Sequence, residues 1–167
     1  MNTAPSPIQT TSVIFICMGN ICRSPTAEAV FRKQLAVAGL ADRVVVDSAG
    51  THAYHIGNAP DARSTKTAAE RGYEMDTLRA RQALRGDIER FDYVLAMDHE
   101  NLRLIQALAP THLRDKPQLF MRFAPDYGLA EVPDPYYGGD QGFEQVLDMI
   151  EAACAGLIGD IQQKLRY

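Results

Sequence analysis

The sequence predicts a single α/β domain built on a parallel sheet, and three observations carry that expectation. Short apolar runs of strand length alternate with segments of helix length along the 167 residues. The first of these runs, Val13-Ile14-Phe15-Ile16, is continuously apolar, as a strand buried on both faces should be. No Pro/Gly-rich linker, internal repeat or low-complexity tract divides the chain.

The elements follow in order. Residues 1–11 are polar, contain Pro5 and Pro7, and read as a flexible extension ahead of a domain over 12–167. They lack the basic start and apolar stretch of a signal peptide. After the first strand comes a short loop and then a helix start. Ser24 is placed to cap it, Pro25 suits its first turn, and Glu28 sits near the positive end of its dipole. Ala29, Val30, Phe31, Leu35 and Val37 carry that helix to a stop at Gly39. Val44-Val45-Val46 is a second strand ending at Asp47 and Ser48, and a Gly/His/Tyr-rich loop fills Ala49 to Ala59. A helix is expected from Ala62 to Arg71, stopping at Gly72. A third strand is expected from Phe91 to Met97, and then a helix capped by Asp98 and reaching Leu108. Gln118 to Met121 is a weaker fourth strand, Ala124 to Asp140 a long loop, and Phe143 to Leu165 a final amphipathic helix.

Composition narrows the function. A hydrophobic content of 46% fills one core. The net charge of -4 offers no broad basic field for nucleic acid or anionic membranes, so any bound anion must be caught by a local device. Three cysteines, Cys17, Cys22 and Cys154, are too few and odd in number for a secreted disulfide scaffold. No apolar run approaches the roughly 20 residues of a membrane span. A cytoplasmic protein with reduced thiols is the expectation.

The loop after the first strand carries the chemistry. Cys17 and Arg23 bracket Met18, Gly19, Asn20, Ile21 and Cys22 between a buried strand and a helix N-terminus, with Ser24 next. In parallel sheets ligands bind beyond the carboxyl ends of the strands, which is where this loop falls. Successive backbone N–H groups of such a loop form a nest for an anion, and the helix adds unsatisfied donors and a positive dipole end. Gly19 permits the tight path, and Asn20 tolerates a left-handed conformation. Arg23 supplies a planar fork that matches two phosphate oxygens. A nucleotide-binding loop would end in Gly-Lys-Ser/Thr, and this one does not. The donors that bind phosphate also stabilise a thiolate on Cys17, with a further hydrogen bond available from Ser24. Such a thiolate attacks phosphorus to form a phosphocysteine. Taken alone, Cys17 would read as a small core residue, as Cys154 does; the neighbouring Arg23 and Ser-Pro helix start decide otherwise.

A second cluster, Asp134-Pro135-Tyr136-Tyr137-Gly138-Gly139, lies in the long loop. Asp134 can protonate a phenolic leaving oxygen and then activate water, a contribution of about 10²–10⁴-fold. Tyr136 and Tyr137 can flank a phenyl ring. By itself the segment is an ordinary Asp-Pro turn with surface tyrosines. Asp98, at a strand-to-helix junction, reads as a cap and anchor.

The two clusters together resemble the low-molecular-weight protein tyrosine phosphatases. The motifs that carry the resemblance are V-I-F-I-C-M-G-N-I-C-R-S-P-T-A-E-A-V-F near the start, V-D-S-A-G-T from Val46, F-D-Y-V-L-A-M-D from Phe91 and D-P-Y-Y-G from Asp134. The resemblance implies one three-layer domain, a four-stranded parallel sheet flanked by helices, with the phosphate-binding loop between strand 1 and helix 1. It implies no metal and no cofactor. It carries the nucleophile to Cys17, phosphate binding to Arg23 and the general acid to Asp134. It makes Ser24 the thiolate-stabilising hydroxyl, pairs Asn20 with Ser48 in support of the loop, and puts Tyr54 and Tyr136 on the rim of the substrate crevice. Cys22 matches a second loop cysteine that pairs reversibly with the nucleophile under oxidation. The implied partners are a tyrosine-phosphorylated protein, a bacterial tyrosine kinase among them, and inorganic phosphate or another oxyanion in the loop. Two positions depart from the pattern. Leu78 stands where many members have histidine, and Arg71 stands where some have histidine near a partner of Glu28.

Related activities share this scaffold. Thiol-dependent arsenate reductases need further cysteines around Leu84 to Arg90, and that stretch has none. Protein-arginine phosphatases usually carry threonine where Ile21 stands, and isoleucine there suits an ester oxygen and an aromatic ring. A non-catalytic phosphate-binding module would not need the nucleophile, arginine and acid together.

Overall fold

A computed structural model describes residues 9–137 and 140–165; the side chains of Tyr137, Asp140 and Gln141 lie outside the description. The elements are β1 (Thr11–Cys17), α1 (Arg23–Val37), β2 (Val44–Gly50), α2 (Ala62–Glu70), α3 (Arg85–Arg90), β3 (Tyr93–Ala96), α4 (His99–Leu108), β4 (Pro117–Leu119) and α5 (Asp140–Leu165). The four strands form one sheet in the order β2-β1-β3-β4, parallel throughout.

Alternation along β1 divides the core. Val13, Phe15 and Cys17 face a large cluster shared with α1, α2 and α5, including Phe31, Leu95, Met97, Phe120, Leu147 and Ile150. Ile14 and Ile16 face a smaller cluster with Ile88 of α3, Val94 and Ile105 of α4. A strand buried on both sides can afford no polar residue, hence the unbroken apolar run. Phe15 meets Phe31 and Phe120 edge-on, with ring centroids 5.6 and 5.1 Å away. Where α5 crosses the Phe120–Phe123 turn, Gly156 is required, because a Cβ there would lie 1.9 Å from the Phe123 carbonyl oxygen.

Several element boundaries differ from the sequence expectation, each for a local reason. Helix α1 begins at Arg23, one residue before the expected Ser24 cap, and Cys22 occupies the cap position without a side-chain bond. The Ser24 hydroxyl is engaged with Cys17 and Asn20 instead. Strand β2 continues through Asp47 and Ser48 to Gly50, because both residues find partners at its end. Strand β3 spans only Tyr93–Ala96, and Phe120-Met121 belongs to a 3-10 turn after β4 rather than to the strand. Helix α3, with Asp87 accepting the Leu84 N–H at 2.7 Å, is too short to show a helical period in sequence. The long loop contains 3-10 turns at Pro125–Tyr127 and Pro135–Tyr137, and α5 starts at Asp140 rather than Phe143.

The topology fixes where a ligand can sit. The chain leaves β1 for β2 on one side and later returns to β3 on the other, so the strand order reverses at β1. A crevice opens at such a reversal, beyond the carboxyl ends of the strands. The loop after Cys17 and the residues after Ala96 border that crevice.

Candidate active site

The loop from Cys17 to Arg23 is held by its carbonyls. The carbonyl of Cys17 accepts from Thr51 N–H (2.9 Å) and that of Met18 from His52 N–H (3.0 Å). The Ile21 carbonyl accepts from Asp61 N–H (2.8 Å), and Cys22 takes both the N–H and the hydroxyl of Thr26. With these four carbonyls taken up by neighbours and the Asn20 N–H facing the Cys17 sulfur, the loop has an arrangement able to nest an anion. Asn20 has φ 57° and is the one non-glycine with left-handed backbone among the described residues. Its side chain fixes that conformation. Asn20 Nδ2 donates to Ser24 Oγ (2.8 Å) and Ser48 Oγ (3.0 Å), and its Oδ1 accepts from Arg81 N–H (3.1 Å). Gly50, paired with Cys17 across β1 and β2, passes under the loop. A Cβ on it would stand 2.7 Å from the Met18 carbonyl oxygen and 3.1 Å from Asn20 N.

At the floor, Cys17 Sγ lies 2.9 Å from Ser24 Oγ and accepts from Asn20 N–H at 3.3 Å. Arg23 is 3% exposed. Its Nη1 donates to Asp98 Oδ2 (2.7 Å) and to the Val132 carbonyl (3.0 Å), and Nη2 stands 3.6 Å from Asp134 Oδ2. Burial opposes the guanidinium charge, but the Cys17 sulfur, Asp98 and Asp134 outweigh it, so its pKa lies above the ordinary value. Cys22, by contrast, is buried beside Asp61, and its thiol is pushed up to about 12.

A cavity of about 270 Å³ joins these groups. Cys17, Met18, Gly19, Ile21, Cys22 and Arg23 form its floor, with Tyr54, His55, Asp134 and Tyr136 as its walls. Asp134 is fixed by accepting the Tyr136 N–H at 3.0 Å. Tyr54 stacks on His52 with centroids 5.2 Å apart. The cavity brings Cys17, Arg23, Asp134, Tyr54 and Tyr136 together.

Identity and coverage then decide the family. The profile described as "Low molecular weight phosphotyrosine protein phosphatase" matches residues 12–167. The chain belongs to that family. A putative low molecular weight protein-tyrosine-phosphatase of Synechocystis sp. is 44% identical over 154 residues, covering 92% of this chain and 98% of that protein. The low molecular weight protein-tyrosine-phosphatase of Streptomyces coelicolor is 45% identical over 157 residues, covering 92% and 94%. A crystal structure of a protein tyrosine phosphatase from Entamoeba histolytica, with Hepes in its active site, superposes with a TM-score of 0.89 at 39% identity, over 93% of this chain and 99% of that one. The four-stranded parallel sheet and flanking helices are those of low molecular weight phosphatases, which are hydrolases.

Within this family frame the two departures have definite surroundings. Leu78 packs against the main core and offers no hydrogen bond to the loop. Support comes instead through Ser48 Oγ, which donates to Glu28 Oε1 (2.7 Å), while Glu28 Oε2 is held by Arg32 (2.6 Å). Arg71 does not approach that group. It pairs with Glu144, Asp148 and Glu151 of α5, so the expectation placing it near a partner of Glu28 is corrected. Sequence reasoning also missed the Asp98–Arg23 pair, although a buried arginine in the loop signalled that a carboxylate must face it. From its own residue type Glu28 reads as a helix-dipole partner and does not reveal its bond to Ser48, and the sequence does not single out His55 or Arg63.

Proposed function

We propose that the chain hydrolyses phosphotyrosine in proteins, and small aryl phosphates, through a phosphocysteine on Cys17. The observation that carries this reading is the placement of Cys17 Sγ, the Arg23 guanidinium and the Asp134 carboxylate around one cavity. The loop amides and the Arg23 fork bind the three non-bridging oxygens, with Met18, Gly19, Asn20, Ile21, Cys22 and Ser24 shaping the cradle. The Cys17 thiolate, accepting from Asn20 N–H and Ser24 Oγ, attacks phosphorus. The P–O bond to the tyrosyl oxygen breaks, and Asp134 gives that oxygen its proton. Asp134 then takes a proton from water, whose oxygen displaces sulfur to release inorganic phosphate. Asp98 holds Arg23 and keeps its Nη2 edge turned toward the substrate. The positive potential is supplied by Arg23 and the amides, so the scheme uses neither a metal nor a cofactor.

Tyr54 and Tyr136 flank the phenyl ring. Tyr137, expected beside them, has a side chain outside the described residues. Ser48 supports Asn20. Cys22, with its thiol deep in the same loop, serves as the oxidation partner of Cys17 through a reversible disulfide. No helix among the described residues is long and apolar enough to cross a membrane. We place the enzyme in the cytoplasm, as one domain over residues 12–167 following an extension over 1–11, acting on tyrosine-phosphorylated proteins such as a tyrosine kinase. Turnover of phenyl phosphate by Cys17→Ser tests the central claim. Loss of turnover with retained competition by inorganic phosphate in a binding assay is expected, and a rate near wild type would refute covalent catalysis by Cys17.

A further inference from the structure

One cation outside the cradle ties the two halves of the site together. Asp61, the N-cap of α2, donates its N–H to the Ile21 carbonyl of the cradle at 2.8 Å. Its carboxylate accepts from Arg63 through Nε (3.3 Å) and Nη2 (3.2 Å). The same Nη2 donates to the Tyr136 carbonyl at 3.0 Å. The guanidinium carbon lies 5.4 Å from the Tyr136 ring centroid and 4.8 Å from that of Phe143, the first aromatic of α5. Tyr136 in turn gives its N–H to Asp134. A continuous path thus runs from the cradle carbonyl at Ile21 through Asp61, Arg63 and Tyr136 to the Asp134 carboxylate.

We propose that Arg63 is a positioning residue that sets the Asp134 carboxylate over the cradle by holding the Pro135–Tyr137 turn. Arg63 does not line the cavity, so it acts through Tyr136 and not on the substrate. The planar fork suits the task. It reaches a carboxylate and a carbonyl at once while lying between two ring faces, and an ammonium can do only one of these. This inference rests on the reading of Asp134 as the general acid.

The effect belongs in the step that needs a proton. Loss of the bond to Tyr136 leaves the cradle intact and misplaces the acid, so in kcat/KM, which reports the steps up to P–O cleavage, poor leaving groups suffer and good ones do not; attack of water on the phosphocysteine is common to all esters and enters kcat alone. Arg63→Met keeps the apolar stem between the rings and removes the donors. It should lower kcat/KM on phenyl phosphate about ten-fold, lower that on para-nitrophenyl phosphate less than about two-fold, and leave inhibition by inorganic phosphate within about two-fold of wild type. Arg63→Lys, with one donor site, should recover part of the loss on phenyl phosphate. Asp134→Ala is measured in the same series. If Asp134→Ala steepens the dependence of kcat/KM on leaving-group pKa and Arg63→Met does not, or if Arg63→Met lowers kcat/KM on both substrates equally, the positioning role is overturned while the acid assignment stands. An unchanged dependence in Asp134→Ala removes the acid assignment and this inference with it.

Discussion

Gly50 offers a way to disturb the loop after Cys17 without substituting any of the loop's own residues. It ends β2 opposite Cys17, donates its N–H to the Arg81 carbonyl and accepts from Ala83 N–H, both at 2.8 Å. A methyl group there would meet the Met18 carbonyl oxygen at 2.7 Å, with Asn20 N and the Gly19 carbonyl carbon at 3.1 Å. All three are backbone atoms, so no side chain can swing aside. Ordinary contact begins near 3.4 Å, so the Met18 carbonyl must retreat by about 0.7 Å or β2 must move away. Overpacking of this kind costs about 1–3 kcal/mol. Because misplacement by about 1 Å at a reacting centre costs about 10²-fold, Gly50→Ala should lower kcat/KM on para-nitrophenyl phosphate by about 10–100-fold and weaken phosphate inhibition alongside. Urea unfolding and phosphate inhibition are measured together. Gly86→Ala is the control: its Cβ meets nothing within 4 Å, it lies in α3, and it should raise stability by up to about 1 kcal/mol with unchanged kinetics. Wild-type rate and phosphate affinity in a destabilised Gly50→Ala would refute the claim that the clash is relieved by moving the loop.

Asp98→Asn removes the charge facing Arg23 and keeps the shape. It should weaken phosphate binding and kcat about ten-fold while leaving the dependence on leaving-group pKa parallel to wild type, and a steepened dependence would instead make Asp98 the acid. Mild peroxide should silence the enzyme and thiol should restore it, with peptide mapping finding Cys17 joined to Cys22; in Cys22→Ser the loss should become largely irreversible, and a Cys17–Cys154 link would refute the pairing. Stability should fall in alkali. The Cys22 pKa is raised in the folded state to about 12, so its contribution is complete below the unfolded thiol value of roughly 8.5 and is lost as pH rises from there toward 12. Cys154, fully buried, is shifted the same way. Unfolding free energies from urea curves between pH 8 and 10 should decline by up to about 1.4 kcal/mol per pH unit for each thiol, less steeply in Cys154→Ala, and a flat profile would refute the linkage.

The sheet and the cradle were legible because their residues are locally determined. An apolar run can bury both faces only inside a parallel sheet, and a cysteine and arginine bracketing a Gly-Asn loop at a helix start admit few other uses. The place of Asp134 and Tyr136 beside the cavity was legible through the family resemblance more than through chemistry, since an Asp-Pro turn is common on surfaces. What escaped was long-range. Asp98 reads as a helix cap, and it is one, accepting Asn101 N–H at 2.7 Å with Oδ1; its other oxygen serves Arg23, 75 residues away. Glu28 sits one helical turn from Arg32, yet its second partner, Ser48, arrives only when α1 packs on β2. Arg71 carried no signal of its three acidic partners, because they lie 73 to 80 residues later in the chain. Strand ends shifted for a similar reason: Asp47 and Ser48 look like breakers until Arg81 and Asn20 are in place to satisfy them.

The partners of Arg23 also set a schedule for the growing chain. Cys17 and Arg23 leave the ribosome early, within the first strand and helix. The Val132 carbonyl that fixes the guanidinium lies 109 residues later, and the apolar patch beneath Ile21 and Cys22 is closed by Phe143 of the last helix. A nascent chain therefore carries Cys17, the nucleophile we propose, through most of synthesis without the contacts that aim Arg23. Newly made protein should gain turnover only after release, when α5 can dock. An early halt in translation leaves an inert fragment, and a turnover signal counts only molecules whose first strand and last helix have met.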